Sequence, residues 1–239
     1  MSVSAGKWTK YQLMKKDKCL HKHLPETLLF NNKNYKFFER HFTEFIFKPC
    51  MGRQGKGVLF LSQTNDDMVI HEETKTISLL KEEVYQWLLK RQKYYGPHIL
   101  QERIPLALME GSIFDLRVMV QRKSSFSHWN VTGMLARVGA KSFMITNTPK
   151  ELLPAEAAIK KSTISGNTTQ IIKKIEEVAL QSVKQLEGAY SERNMMGIDI
   201  GIDQKGGVWI IEANLLPSVA LFNKLDDKSM YNKIISYKT

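Results

Sequence analysis

The sequence predicts an α+β fold, on three observations. Strand-like runs recur at separate places, the clearest being Asp115 to Gln121 and Trp129 to Val138. Helical periodicity occupies other segments, above all Asn167 to Glu192, where Ile, Leu and Val return at helical spacing. No internal repeat or low-complexity linker divides the chain, so any subdomain boundaries are compact hinges between mixed helices and strands.

Residues 6 to 18 have a helical pattern. Leu24-Pro-Glu-Thr27 followed by Leu28-Leu-Phe30 reads as a turn into a short strand, and a second helix covers Tyr35 to His41. From Phe42 to Lys48 apolar and polar residues alternate, and Pro49, which has no N–H for a ladder, ends that strand. A loop with glycines at 52, 55 and 57 leads directly into Val58-Leu-Phe-Leu61. Ser78 to Gln92 is expected to form an amphipathic helix carrying Leu79, Val84 and Leu88 on one face, closed by Tyr94-Tyr-Gly-Pro97. Ile99 to Ile104 follows as a strand stopped by Pro105, and a polar turn from Lys123 to His128 separates the two long strands.

The 239 residues suffice for one large domain or two small ones, and 43% hydrophobic residues with 10% aromatics exclude a disordered chain. No apolar stretch reaches the roughly 18 residues of a membrane span, and no signal-peptide core is visible near the N-terminus. The expected compartment is the cytoplasm. Two cysteines, Cys19 and Cys50, are too few for a disulfide framework and lack metal-ligand spacing, so both are expected as free thiols, Cys50 as a small buried hydrophobe. A formal charge of +11 favours an anionic partner, whether nucleic acid, a membrane surface or a phosphorylated ligand. The lysines at Lys7, Lys10, Lys15, Lys16, Lys18, Lys22, Lys33 and Lys36 read as solvated helix faces, with no helix-turn-helix, zinc-finger or RRM signature beside them.

Two constellations carry chemistry. Met196-Gly-Ile-Asp-Ile-Gly-Ile-Asp203, Gly206-Gly207 and Val208-Trp-Ile-Ile-Glu-Ala-Asn214 read as a β-hairpin on which Asp199, Glu212 and Asn214 converge. Alternation puts Glu212 and Asn214 on one strand face, and hard oxygen ligands of this kind suit Mg²⁺, especially one shared with phosphates. Upstream, Gly52, Gly55 and Gly57 allow backbone N–H groups close to an anion, while Lys48, Arg53 and Lys56 supply positive charge. Because this loop opens a strand and lacks Gly-Lys-Ser/Thr before a helix, it is neither a Walker A loop nor a Rossmann turn. A flap between antiparallel strands fits it better. No Ser/His/Asp or Cys/His arrangement is present.

Lys48-Pro-Cys-Met-Gly-Arg-Gln-Gly-Lys-Gly-Val58, Gln101-Glu-Arg-Ile104, Phe114-Asp-Leu-Arg117 and Ile211-Glu-Ala-Asn214 occur in this order and, with Lys7-Trp8, Leu24-Pro-Glu-Thr27, Trp129-Asn-Val-Thr-Gly133 and Gly197-Ile-Asp-Ile-Gly-Ile-Asp203, resemble the ATP-grasp superfamily. The branch they resemble is the YheC/YheD-type, endospore coat-associated one. The resemblance implies two α+β subdomains clasping ATP between antiparallel sheets: residues 1–41 an N-terminal portion of the core, 42–104 the lid with the glycine-rich loop and hinge strand, and 105–239 the C-terminal subdomain with the Mg²⁺ site. It implies that Lys48 contacts the α/β phosphates under the Gly52–Gly57 loop, and that the backbone of Gln101, Glu102, Arg103 and Ile104 pairs with the adenine edge. Asp115 would lie near the ribose and Asn147 near the phosphates or metal. Arg117 and Arg137 would face the γ-phosphate or acyl phosphate, and Asp199, Glu212 and Asn214 would hold Mg²⁺.

The implied activity is a Mg²⁺-dependent carboxylate-amine or carboxylate-thiol ligase that releases ADP and phosphate, with ATP and Mg²⁺ as cofactors and a peptide or amino acid as candidate substrate. Phosphoryl transfer to a carboxylate needs positioning and charge neutralisation rather than a protein nucleophile, which agrees with the residue types present. The family usually has Glu-Leu where this chain has Met195-Met196, and Gly-Gly after the Thr-Asn segment, where this chain runs Thr146-Asn-Thr-Pro-Lys-Glu-Leu-Leu153. Many relatives also carry an N-terminal domain, so a homo-oligomer or a separate chain supplying that domain is a candidate partner. The competing expectations are a spore-associated ATP-binding or coat-assembly protein without turnover, and a basic nucleic-acid-binding protein.

Overall fold

The computed structural model describes residues 3–52, 55–140 and 149–238. Two antiparallel sheets dominate it. The first has the strand order β1 (Thr27–Leu29), β6 (His98–Glu102), β2 (Glu44–Pro49), β3 (Leu59–Gln63), β4 (Asp67–Glu72), β5 (Lys75–Leu80). The second runs β10 (Glu151–Pro154), β9 (Asn130–Val138), β8 (Ser112–Gln121), β11 (Met195–Ile202), β12 (Val208–Asn214), with β7 (Leu108–Met109) pairing β8 at its start. Six α-helices complete the described chain: α1 (Lys7–Met14), α2 (Asn32–His41), α3 (Lys81–Tyr95), α4 (Ala155–Lys161), α5 (Thr168–Glu187) and α6 (Ser229–Ile235). The α+β class is therefore as expected. No helix among the described residues is long and apolar enough to cross a membrane.

Each sheet packs one face against a helix-covered apolar core. In β2, Phe45 and Phe47 point with Leu59, Leu61 and Leu100 into a core closed by Phe38 of α2 and by Val84 and Leu88 of α3. Alternation sends Ile46 and Lys48 to the other face. In the second sheet Leu116, Val118, Val120, Ala136, Val138, Ile198, Ile200 and Ala213 enter a larger core beneath α5. This helix buries Ile171, Ile175, Val178, Ala179, Ser182, Val183 and Leu186 along a single stripe, and its first turn is capped by the Asn167 side chain, which accepts from the Gln170 N–H at 3.1 Å. Each fully buried Ile or Val side chain contributes about 1.5–3 kcal/mol, which is why the stripe fixes the helix against the sheet.

The structure revises several elements. Ser78 to Leu80 belongs to β5, and the helix begins only at Lys81 and runs to Tyr95, where Gly96 ends it in the left-handed region (φ 73°). The sequence missed the β4–β5 hairpin because β5 is an exposed edge strand. Its order comes from backbone pairing with β4, which leaves no alternation of burial to read. Strand β10 and helices α4 and α6 were likewise not expected. The helix expected over 6 to 18 stops at Met14 and the one over 167 to 192 stops at Glu187, with turns completing both segments. Cys19 is exposed and Cys50 buried, both as free thiols.

A charged sheet face opposite a buried lysine

Strand register builds the charged side of the site. Asp115 stands opposite Arg137, Arg117 opposite Asp199, and Asp199 opposite Glu212, while Asn214 stands opposite Gly197. Cross-strand partners share a face, so six polar side chains from four strands emerge on the side away from α5. A β-bulge between Asp199 and Ile200 interrupts the β11–β12 ladder next to Glu212, the kind of irregularity that re-aims side chains near binding sites. Farther along the same face Met119 and Leu135 are covered by Phe222, Leu225 and Ile234. Gly133 leaves room for that cover, since a Cβ there would lie 2.8 Å from the Phe222 ring.

The charges on this face are paired with one another. The Arg137 guanidinium grips Asp115 in a two-pronged bond, with Nε to Oδ1 at 2.8 Å, and reaches Asp199 Oδ2 at 3.1 Å. Arg117 makes its own two-pronged contact with Asp199, and the Asn214 amide donates to Asp199 Oδ2 at 3.2 Å. All four charged residues are buried. Burial disfavours charge on Asp199, but Arg137 and Arg117 overcome this and hold its carboxyl below the usual carboxylate range. Burial opposes charge on Arg137 as well, and the Asp199 and Asp115 carboxylates reverse that effect and raise its pKa.

Lys48 projects from the polar face of the first sheet. It is buried, and its Nζ donates to Gln101 Oε1 at 2.6 Å, a neutral partner. Burial therefore pulls its pKa down to about 8; Lys7 and Lys10 push in the same direction, against attraction from Glu212 and Asp199. Lys48, Ile99 and Gln101 line a cleft whose other wall is Ile210 to Ala213 of β12, with α1 at its end. The structure thus brings Lys48, Gln101 and Glu212 to one cleft, with the paired arginines on the same sheet face as Glu212.

Helix α1 corrects the view of the N-terminal lysines as solvated. Lys10 is buried and donates to the Ala213 carbonyl, with Glu212 3.9 Å away. Lys7 lies 3.4 Å from Glu212 Oε1 and 3.2 Å from the Gly52 carbonyl, and its backbone N–H donates to the Cys50 carbonyl at 2.8 Å. Burial lowers the Lys10 pKa, helped by Lys7 and opposed by Glu212. Spacing carried a signal that charge counting hid: Lys7, Lys10, Tyr11 and Met14 fall at i, i+3, i+4 and i+7, one helix face, and the last two are core residues.

The remaining expected residues are distributed around these. Gly52, Gly55 and Gly57 all have positive φ, with Gly55 and Gly57 at 73°, a conformation that L side chains rarely adopt. Lys56 is exposed, and Arg53 and Asn147 lie outside the described residues. At the end of β6 and just beyond it, the Glu102 carboxylate accepts from the Glu26 N–H at 3.0 Å, Arg103 pairs with Glu44 at 2.8 Å and lies over the Phe60 ring, and Ile104 is buried. The side chains of Glu102 and Arg103 therefore stabilise the first sheet and its border.

Oxygen donors fit a hard divalent cation. Asn214 uses its Nδ2 on Asp199, which leaves its Oδ1 as the atom that could ligate a cation. Asp199 already accepts four donors, three on Oδ2 from Arg117, Arg137 and Asn214 and one on Oδ1 from Arg117, so Oδ1 is the atom with a lone-pair site left for a cation. Among the described residues no group of three or more His, Cys, Asp or Glu side chains could hold a metal by itself. A set of two carboxylates and an amide is what a cation shared with phosphates would use, since Mg²⁺ keeps open positions for substrate oxygens.

Two antiparallel sheets, a glycine-rich loop between β2 and β3, a buried lysine on the polar face of the first sheet and Glu212 across the cleft accord with an ATP-grasp fold. A YheC/D-like ATP-grasp family model matches residues 2–238, and the chain belongs to that family. It is similar to the endospore coat-associated proteins YheD (26% identity over 91% of this chain) and YheC (24% over 88%) of Bacillus subtilis strain 168. This chain spans 49% and 59% of the lengths of those two proteins. Among solved structures it is similar in fold to the VanG D-Ala:D-Ser ligase of Enterococcus faecalis (TM-score 0.57, 15% identity, 98% of this chain and 61% of that one). It also resembles an ADP complex of N5-carboxyaminoimidazole synthetase from Staphylococcus aureus (TM-score 0.60, 11% identity, 98% and 52%).

Proposed function

We propose that this chain binds Mg-ATP in the cleft between its sheets and acts as an ATP-dependent carboxylate ligase. The observation that carries the reading is the buried Lys48, held by a neutral amide across a cleft from Glu212, in a chain of the ATP-grasp family. In this reading residues 42–104 and 105–239 are the two jaws, and residues 1–41 are shared between them, with β1 extending the first sheet and α1 packing against the second core.

Lys48 meets the α/β phosphates beneath the loop containing Gly52, Arg53, Gly55, Lys56 and Gly57, and the backbone from Gln101 to Ile104 meets the adenine edge. Asp115 lies toward the ribose and keeps Arg137 oriented. Arg117 and Arg137 stabilise negative charge on the transferred phosphoryl group, and Asn147 lies near the phosphates. Glu212, Asn214 and Asp199 hold Mg²⁺, which when bound neutralises phosphate charge. The substrate carboxylate attacks the γ-phosphorus, ADP leaves, and an amine or thiol then displaces phosphate from the acyl group. Each group on the protein binds, orients or neutralises, so no protein nucleophile is needed.

The test is calorimetric titration of Mg-ATP into wild type and Glu212→Ala, followed by nucleotide analysis of reactions containing carboxylate and amine mixtures. The reading expects metal-dependent binding that Glu212→Ala weakens, and ADP as product. AMP as product, or full turnover by Glu212→Ala, overturns it.

A further inference from the structure

Thr27 lies at the start of β1 and is 0% exposed. Its place is set by register: Thr27 stands opposite Gln101 in the β1–β6 ladder, and Gln101 opposite Ile46 in the β6–β2 ladder, two residues before Lys48 on the same face. Three side chains in adjacent strands therefore form a row toward the cleft. The Thr27 hydroxyl donates to the Pro25 carbonyl at 2.9 Å and accepts from Gln101 Nε2 at 2.8 Å, while Gln101 Oε1 accepts from Lys48 Nζ at 2.6 Å.

The order of donors and acceptors along this row has a single consistent sense. The threonine proton is committed to Pro25, so the face turned to Gln101 is a lone pair and selects the amide nitrogen. That choice turns the amide oxygen to the ammonium. The flipped amide would set two oxygens against each other at Thr27 and amide hydrogens against a cation at Lys48, losing both bonds in a buried place where each is costly to leave unmade.

We propose that Thr27 is a positioning residue for the ATP lysine: through the orientation of the Gln101 amide it aims the Lys48 ammonium into the nucleotide cleft. The proposal rests on the ATP reading above. It gives the turn at Leu24-Pro-Glu-Thr27 a chemical role, because Pro25 supplies the carbonyl that fixes the sense of the row and Thr27 transmits it. The row also explains how a lysine can stay charged there without a bonded carboxylate. The charged groups around it are Lys7 and Lys10 from α1, Glu212 from β12 and Asp199 from β11, two cations and two anions that act in opposite senses. The amide oxygen is the bonded contact of its ammonium.

The experiment compares Thr27→Val, which keeps the shape and removes the hydroxyl, with Thr27→Ser, which keeps the hydroxyl. Two readouts are taken on each: the titration midpoint of Lys48 by NMR of 13C-labelled lysine without nucleotide, with Lys48→Met assigning the signal, and Mg-ATP affinity by calorimetry. Thr27→Val is expected to lower the Lys48 midpoint and weaken Mg-ATP by about fivefold, the worth of one neutral hydrogen bond. Thr27→Ser is expected to restore both. Gln101→Glu, which sets a carboxylate beside the ammonium, is expected to raise the midpoint. An unchanged midpoint in a folded Thr27→Val overturns the row, whatever the nucleotide does. A shifted midpoint with no Mg-ATP binding even in wild type overturns the nucleotide role instead. If Thr27→Val fails to fold, Gln101→Glu carries the test, and an unchanged midpoint there overturns the row.

Discussion

The two walls of the cleft handle charge in opposite ways. On the second sheet Arg117, Arg137, Asp115 and Asp199 neutralise one another through two-pronged bonds, so every buried charge has a bonded partner of opposite sign. On the first sheet Lys48 is bonded to an amide, and its nearest carboxylates act only through space. The first arrangement fixes geometry before any ligand arrives. The second leaves a positive charge short of a counterion, which a phosphate can supply. Under the proposed function, a site that places a phosphoryl group and attracts it gains from having one wall of each kind.

The largest test of this contrast is stability. Asp199→Ala takes the bonded carboxylate from the buried Arg117 guanidinium, while Arg137 keeps Asp115, and is expected to destabilise the fold by about 3–5 kcal/mol in urea unfolding. Lys48→Met removes a desolvated cation with no bonded carboxylate, and is expected to leave stability unchanged or raised. Equal losses from both substitutions would remove the distinction between the walls. In binding the order reverses: Lys48→Met is expected to weaken Mg-ATP by about a hundredfold, since a buried charge pair is worth roughly 2–5 kcal/mol to its partner.

A smaller effect belongs to the glycine-rich loop between β2 and β3. Gly57→Ala puts a Cβ on a residue with φ 73° and 3.1 Å from the Pro49 ring, and is expected to cost about 1–2 kcal/mol in unfolding assays. Gly188→Ala is the control, because its φ is −63° and nothing lies within 4 Å. Smallest is the pH effect. The Lys48 pKa is lowered to about 8 from 10.5, so below pH 8 both folded and unfolded chains carry the charge and the folded state bears the full cost of burying it. Above pH 8 the folded chain loses the proton first, and stability rises toward pH 10.5 relative to Lys48→Met. Mg-ATP affinity runs the other way, falling roughly threefold from about pH 7.5 to about pH 8.5 as the ammonium is lost. A flat difference profile between wild type and Lys48→Met would show that the lysine is solvated.

Particular residues show what could be read in the chain. Alternation in Phe42 to Lys48 and the placing of Pro49 described β2 closely, and the spacing of Glu212 and Asn214 put both on one face of β12. The β4–β5 hairpin was missed because an edge strand without a buried face has no burial period. Lys7 and Lys10 were misjudged because a lysine count cannot tell a solvated helix face from one facing a carboxylate.

By itself the sequence determined the α+β class, the glycine loop, the ordered set of family motifs and which residues alternate toward the cleft, since all of these depend on spacing of a few residues. Only the tertiary structure decided the partners: that Asp199 faces two arginines, that Glu212 faces Lys7 and Lys10, and that Thr27 reaches Lys48 through Gln101. Those contacts join residues 53 to 205 positions apart. They are fixed by strand register and by which faces are buried, and no local pattern encodes either.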